Sequence, residues 1–92
     1  MVRQGMICRI ATFDTKPDVS DEKMGAFRAW MKSQPGLKHI FHVHDPATGK
    51  VMSISFWESA EQLAAVKDRT PAGGPLGLKP STVETFSDVI EC

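Results

Sequence analysis

A chain of 92 residues is long enough for one domain, residues 1–92, yet a domain this small buries only about 60% of its unfolded surface, so association with a second copy would add burial that it needs. Its 11 Lys and Arg balance its 11 Asp and Glu, which removes the electrostatic argument for nucleic acid or an anionic membrane as partner. The apolar run behind Met1-Val2-Arg3-Gln4-Gly5 is short and broken by Arg9, which argues against a signal peptide or membrane span and for a cytoplasmic protein. Cys8, inside an expected strand, and Cys92, the last residue, do not form a disulfide framework.

Residues 6–13 alternate as a strand, with Met6, Cys8, Ile10 and Thr12 on one side and Ile7, Arg9, Ala11 and Phe13 on the other. An unpaired buried charge is costly, so the side with Arg9 is expected to face a polar cavity or the sheet edge and not to be sealed under a helix. Residues 14–18 read as a turn around Pro17. Asp18 or Ser20 then caps a helix with Asp21 and Glu22 in its first turn and Met24, Phe27, Trp30 and Met31 as its apolar stripe. Pro35 and Gly36 end it.

Residues 37–44 and 51–57 are rich in β-branched and aromatic side chains and flank Asp45-Pro46-Ala47-Thr48-Gly49-Lys50, which predicts a β-hairpin. If Asp45 pairs with Lys50, the register sets Val43 opposite Met52, Phe41 opposite Ile54 and His39 opposite Phe56 on an apolar face, expected under the helices. The other face then carries Ile40, His42 and His44 against Ser55, Ser53 and Val51, with Trp57 at its end, and resembles a pocket wall. Ser59-Ala60-Glu61-Gln62 is a capping box opening a second helix that stops near Arg69, before Thr70-Pro71. Residues 72–80 form a loop rich in glycine and proline, and residues 82–90 suit a last strand with a bulge between Val83 and Phe86.

The order is therefore β-α-β-β-α-β. Right-handed crossovers put both helices on one face of a four-stranded antiparallel sheet, a ferredoxin-like α+β fold. The helix-free face is expected to carry Ile7, Phe13, Ile40, Val51 and Trp57, too apolar for water, so a second copy would cover it.

On this element order, on Gln34-Pro35-Gly36-Leu37 at the first helix end and on Phe56-Trp57-Glu58-Ser59-Ala60-Glu61 at the strand–helix junction, the chain resembles the dimeric α/β-barrel superfamily, within it the antibiotic-biosynthesis-monooxygenase-like group. The resemblance implies a homodimer whose sheets pack face to face, forming a dimeric α/β barrel. It also implies a cavity in each subunit, between sheet and helices or near the sheet interface. Haem-degrading relatives place an Asn in the first strand, a Trp in the second helix and a His beyond it; here that strand has no Asn, Val66 stands in the helix and no His follows His44. Quinol-oxidising relatives often use Tyr, Trp and Arg, and this chain has no Tyr. Trp57 matches the Trp that marks the fold.

His39, His42, His44 and Asp45 invite a metal reading, but alternation sends His39 to the opposite side, so at most two imidazoles converge and no metal site is expected. Ser53 and Ser55 lack an orienting acid, which weakens a hydrolytic triad. The positive expectation is a pocket holding a small aromatic or enolic molecule, lined by Arg9, Ile40, Ser53, Ser55 and Trp57. In it His42 or His44 takes a proton near neutrality, and the resulting anion reacts with oxygen without metal or flavin, so that no cofactor is required. The competing reading is a non-catalytic dimeric ligand-binding or structural protein of the same fold.

Overall fold

The computed structural model describes residues 2–3, 5–14, 20–69 and 80–92. Two short strands, β1 (Val2–Arg3) and β6 (Ile90–Glu91), pair with each other. Between them run β2 (Ile7–Phe13), α1 (Asp21–Lys32), β3 (Leu37–His44), β4 (Val51–Trp57), α2 (Ala60–Arg69) and β5 (Thr82–Phe86). The four longer strands form one antiparallel sheet in the order β3-β4-β2-β5, so the expected ferredoxin-like α+β arrangement is present. The turn over 15–18 and residues 72–79 of the expected loop lie outside the described residues.

Each helix starts where local chemistry satisfies its free amides. The Ser20 hydroxyl accepts from the Lys23 amide at 3.3 Å, ahead of Asp21 and Glu22, where the helix dipole favours negative charge. The Ser59 hydroxyl accepts from the Gln62 amide at 3.2 Å. The return half of that capping box differs from expectation: Gln62 Oε1 accepts from the Ser59 hydroxyl at 3.4 Å and does not bond the Ser59 amide. Gly36, at φ +89°, must be glycine on two counts, because a Cβ there would also collide with the Gln62 side chain. The end of α1 is thereby held against the start of α2, and the Glu58 amide donates to the Gly36 carbonyl at 2.7 Å. Buried Gln34 adds a second brace: it donates to the Trp30 carbonyl at 3.0 Å and accepts from Arg69 Nε at 2.7 Å.

The hairpin register is the one the apolar matching predicts. Val43 faces Met52, Phe41 faces Ile54, His39 faces Phe56 and His42 faces Ser53, while the Asp45 amide donates to the Lys50 carbonyl at 2.9 Å. The irregularity falls between Leu37 and His39, not in the last strand, where β5 pairs regularly with β2 and the chain then breaks before β6.

The assignment of faces is reversed from expectation. Trp57, 1% exposed, packs with Met31 of α1 and with Leu63 and Val66 of α2, and Ile7, Phe27, Trp30, Leu37 and Ile40 surround them. Both helices therefore cover the face of Trp57, Ser55, Ser53, His42 and Ile40. By register, Ile7, Arg9, Ala11, Phe13 and Val51 belong to that same face, so Arg9 is under the helices after all. Phe41, Val43, Ile54 and Phe56 lie on the helix-free face, with Phe41 56% exposed. Alternation fixes which residues share a face, but a register in which both faces are apolar does not say which one the helices will take. The largest side chain in the sheet decides here, since Trp57 leads directly into α2 and fills the angle between the helices.

Candidate functional site

Register sorts the helix-side face into rows across the strands. Leu37, Trp57 and Ile7 form the first, wholly apolar and capped by the buried residues of both helices. Ile40, Ser55, Arg9 and Thr85 form the second; His42, Ser53, Ala11 and Val83 the third; His44, Val51 and Phe13 the fourth. The polar groups thus follow one another away from Trp57, beyond the compact part of the core.

In the second row the hydroxyl of Ser55, 2% exposed, accepts from the Trp57 indole Nε1 at 2.9 Å and lies 3.4 Å from the Arg9 carbonyl, to which it donates. This satisfies a buried indole N–H, so Ser55 and Trp57 support the site rather than present reactive atoms. Ile40 is half-buried against the core. Arg9 is also half-buried, and burial pulls its pKa below the ordinary arginine value with no carboxylate opposing the effect. No carboxylate among the described residues forms an ion pair with it.

In the third row His42 stacks on Phe27 of α1, with ring centroids 5.8 Å apart and 11° between the planes. Its Nε2 is shielded from solvent and has no hydrogen-bond partner. Burial, and to a smaller degree the positive charge of Arg28, lowers its pKa below the usual 6.5. The imidazole is consequently neutral at pH 7 and able to accept a proton. Ser53 stands between His42 and Ala11 and is half-buried.

His44 does not join this arrangement. It is exposed at the end of the hairpin and lines a shallow depression with Val43, Asp45, Lys50 and Met52. Of the expected residues, the structure therefore brings His42, Ser53, Ser55, Arg9, Ile40 and Trp57 to one face under the helices and leaves His44 at its rim. Sequence reasoning missed the roles of Phe27 and Arg28. Helical spacing marked Phe27 as part of the apolar stripe of α1, but nothing in the sequence paired it with His42, and Arg28 read as one of many solvated charges. Among the described residues no three His, Cys, Asp or Glu side chains converge where they could hold a metal ion. No described helix is long and apolar enough to cross a membrane.

No family model and no curated protein matches the sequence. Solved structures do match. One from Chloroflexus aurantiacus J-10-fl shares 20% identity at a TM-score of 0.66, covering 95% of this chain and 96% of its own. One from Bordetella bronchiseptica shares 16% at 0.67, covering 95% and 100%, and one from Caulobacter crescentus CB15 shares 20% at 0.62, covering 96% and 92%. All three carry the name "putative antibiotic biosynthesis monooxygenase". At these identities the likeness is one of fold, and it extends over nearly the whole length of each chain. Together with the element order and sheet topology, it shows that this chain has the ferredoxin-like α+β fold of those solved structures.

Proposed function

We propose that this chain is a single-domain, cytoplasmic, monooxygenase-like protein that acts as a homodimer on a small phenolic or enolic compound without metal or flavin, with His42 as the proton acceptor. The observation that carries the reading is the shielded, partnerless Nε2 of a neutral imidazole lying flat against Phe27. A buried polar atom without a partner is costly, and the hydroxyl of a bound substrate is the partner that a neutral imidazole can use. Nε2 takes the O–H proton, and the phenolate gives an electron to dioxygen. The two radicals combine to form a C–O bond. Loss of the ring proton and cleavage of the O–O bond then release water, which takes up the proton His42 had accepted, and leave a quinone. One dioxygen is consumed, with one oxygen atom entering product and one entering water.

The dimer reading rests on the helix-free face. His39, Phe41 and Phe56 form an aromatic cluster there, with centroids 6.0 to 6.4 Å apart, and Phe41, Val43 and Phe86 are exposed. A specific interface buries roughly 800 Å² per partner, an area that the face of a four-stranded sheet can supply. The test of the catalytic reading is oxygen uptake by metal-free, flavin-free protein across a panel of quinols and polycyclic phenols. Uptake with at least one, lost in His42→Gln and retained in His44→Gln, is the expected result. No uptake across the panel, or uptake indifferent to His42→Gln, refutes it.

A further inference from the structure

Arg9 is the charged group that neither the packing nor the proposed proton transfer explains. It stands on the helix side between Ser55 and Thr85, half-buried, and no carboxylate among the described residues is ion-paired with it. Desolvating a guanidinium without a counter-ion is unfavourable, and a bound anion is the group that would offset it.

The geometry relates Arg9 to His42. The two residues are two strands and two positions apart on the same face, since Arg9 pairs with Ser55 and His42 with Ser53. With ordinary strand spacing and rise, their backbones are separated by about 10 Å across the sheet and about 7 Å along it. By register Ser53 and Ala11, both small, stand on the same face between them. A guanidinium offers a planar fork of donors that a carboxylate matches with two parallel hydrogen bonds, whereas the imidazole offers a single point of contact.

We infer that the ligand of this site is an aromatic or enolic hydroxy acid, whose carboxylate is bound by Arg9 while its hydroxyl faces His42, the two groups held at opposite ends of a flat molecule of about two rings. The inference rests on the proposed function for the position of the hydroxyl, but the carboxylate site stands on Arg9 alone.

The experiment is calorimetric titration of the protein with 6-hydroxy-2-naphthoate and with 2-naphthol, which lacks the carboxylate, alongside oxygen uptake with both. The expected result is at least tenfold tighter binding of the naphthoate by the wild type, loss of that preference in Arg9→Gln with 2-naphthol affinity unchanged within about twofold, partial recovery in Arg9→Lys, and retention of the preference in His42→Gln. Should Arg9→Gln fail to fold, the wild-type preference and the Arg9→Lys response decide the matter. Equal affinity for the two compounds in the wild type, absence of saturable naphthoate binding, or a preference that survives Arg9→Gln overturns the inference. Carboxylate preference with no oxygen uptake across the phenol panel upholds the Arg9 site while removing the monooxygenase reading; oxygen uptake with equal affinities does the reverse.

Discussion

The two faces of the sheet invert the usual relation between polarity and burial. The face under the helices holds the most deeply buried side chains, Trp57 and Ser55, and also His42, Ser53 and Arg9. The helix-free face carries Ile10, Phe41, Val43, Met52, Ile54, Phe56 and Phe86 beside Thr12, His39, Thr82 and Glu84, and Phe41 is 56% exposed and Phe86 45%. Burial on the helix side is concentrated at one end, where Met31, Leu63 and Val66 close on Trp57, so the rows beyond it are free to carry polar groups. On the other side, apolar surface is what the sheet has to offer a second sheet. One face holds the monomer together at one end and carries its polar groups at the other; its opposite presents apolar side chains to the outside.

That contrast is broken most forcefully at Trp57. Trp57→Ala removes a 1% exposed indole from the centre of the core, and its expected cost is about 3–5 kcal/mol, a large share of the roughly 5–15 kcal/mol that stabilises a typical domain. Phe41→Ala, on the opposite face, should cost the monomer little. Urea denaturation at low protein concentration compares them directly, and equal losses would mean that the two faces are not differently employed. Ser55→Ala sharpens the same point, because it leaves the indole N–H without its acceptor at a cost of about 1–3 kcal/mol.

Within the helix-side face, His42 and His44 lie two positions apart on one strand and should behave differently. His42→Gln is expected to lower turnover of a phenolic substrate by about 10²–10⁴-fold, the usual contribution of a positioned base, with the melting temperature little changed. His44→Gln, at the exposed hairpin end, should leave the rate within a small factor. Steady-state oxygen uptake checks both, and matching losses would mean that the rim and the interior of the site are equivalent.

The helix-free face is tested by charge. Phe41→Glu should raise the dimer dissociation constant at least tenfold, about 1.4 kcal/mol or more, as read by sedimentation over a range of concentrations. Ile40 and Val51, which alternation alone would offer for this purpose, lie under the helices, so charged substitutions there should unfold the monomer instead. A wild type that sediments as a compact monomer at micromolar concentration would remove the functional meaning of this face.

The sequence carried the fold and the hairpin register because both depend on local signals: Ser20 and Ser59 at the helix starts, Pro35-Gly36 at a helix end, and a run of β-branched and aromatic pairs that match in only one alignment. It did not carry the choice of face. Phe41, Val43, Ile54 and Phe56 make as good an inner face by hydrophobicity as Ile40, Ser55 and Trp57, and the preference for the second set depends on how two helices, distant in sequence, close around one indole. Arg9 stands on the helix side although no described carboxylate pairs with it, because its row lies beyond the compact core around Trp57 and leaves it only half-buried. The stacking of Phe27 on His42 depends on the tertiary placement of α1 and had no local signal at all.

The smallest expected effect concerns Arg28, which acts on His42 only through its charge. Burial is the larger cause of the lowered His42 pKa and Arg28 the smaller, so Arg28→Gln should raise the imidazole midpoint toward 6.5 without reaching it, as followed by NMR titration of the ring protons. Because the proposed base works in its neutral form, the acid limb of the rate profile should move to higher pH in the variant, with the plateau rate above it unchanged. The effect on stability has a definite sign. The folded pKa lies below the unfolded one, so the unfolded chain binds more protons between the two values; the contribution of His42 is complete above about pH 6.5 and is lost as pH falls toward the folded midpoint. Raising that midpoint narrows the window, so Arg28→Gln should lose less stability on acidification than the wild type. A downward shift of the midpoint, or none, would mean that Arg28 does not act on the His42 side of the sheet, and that the polar rows are governed by burial alone.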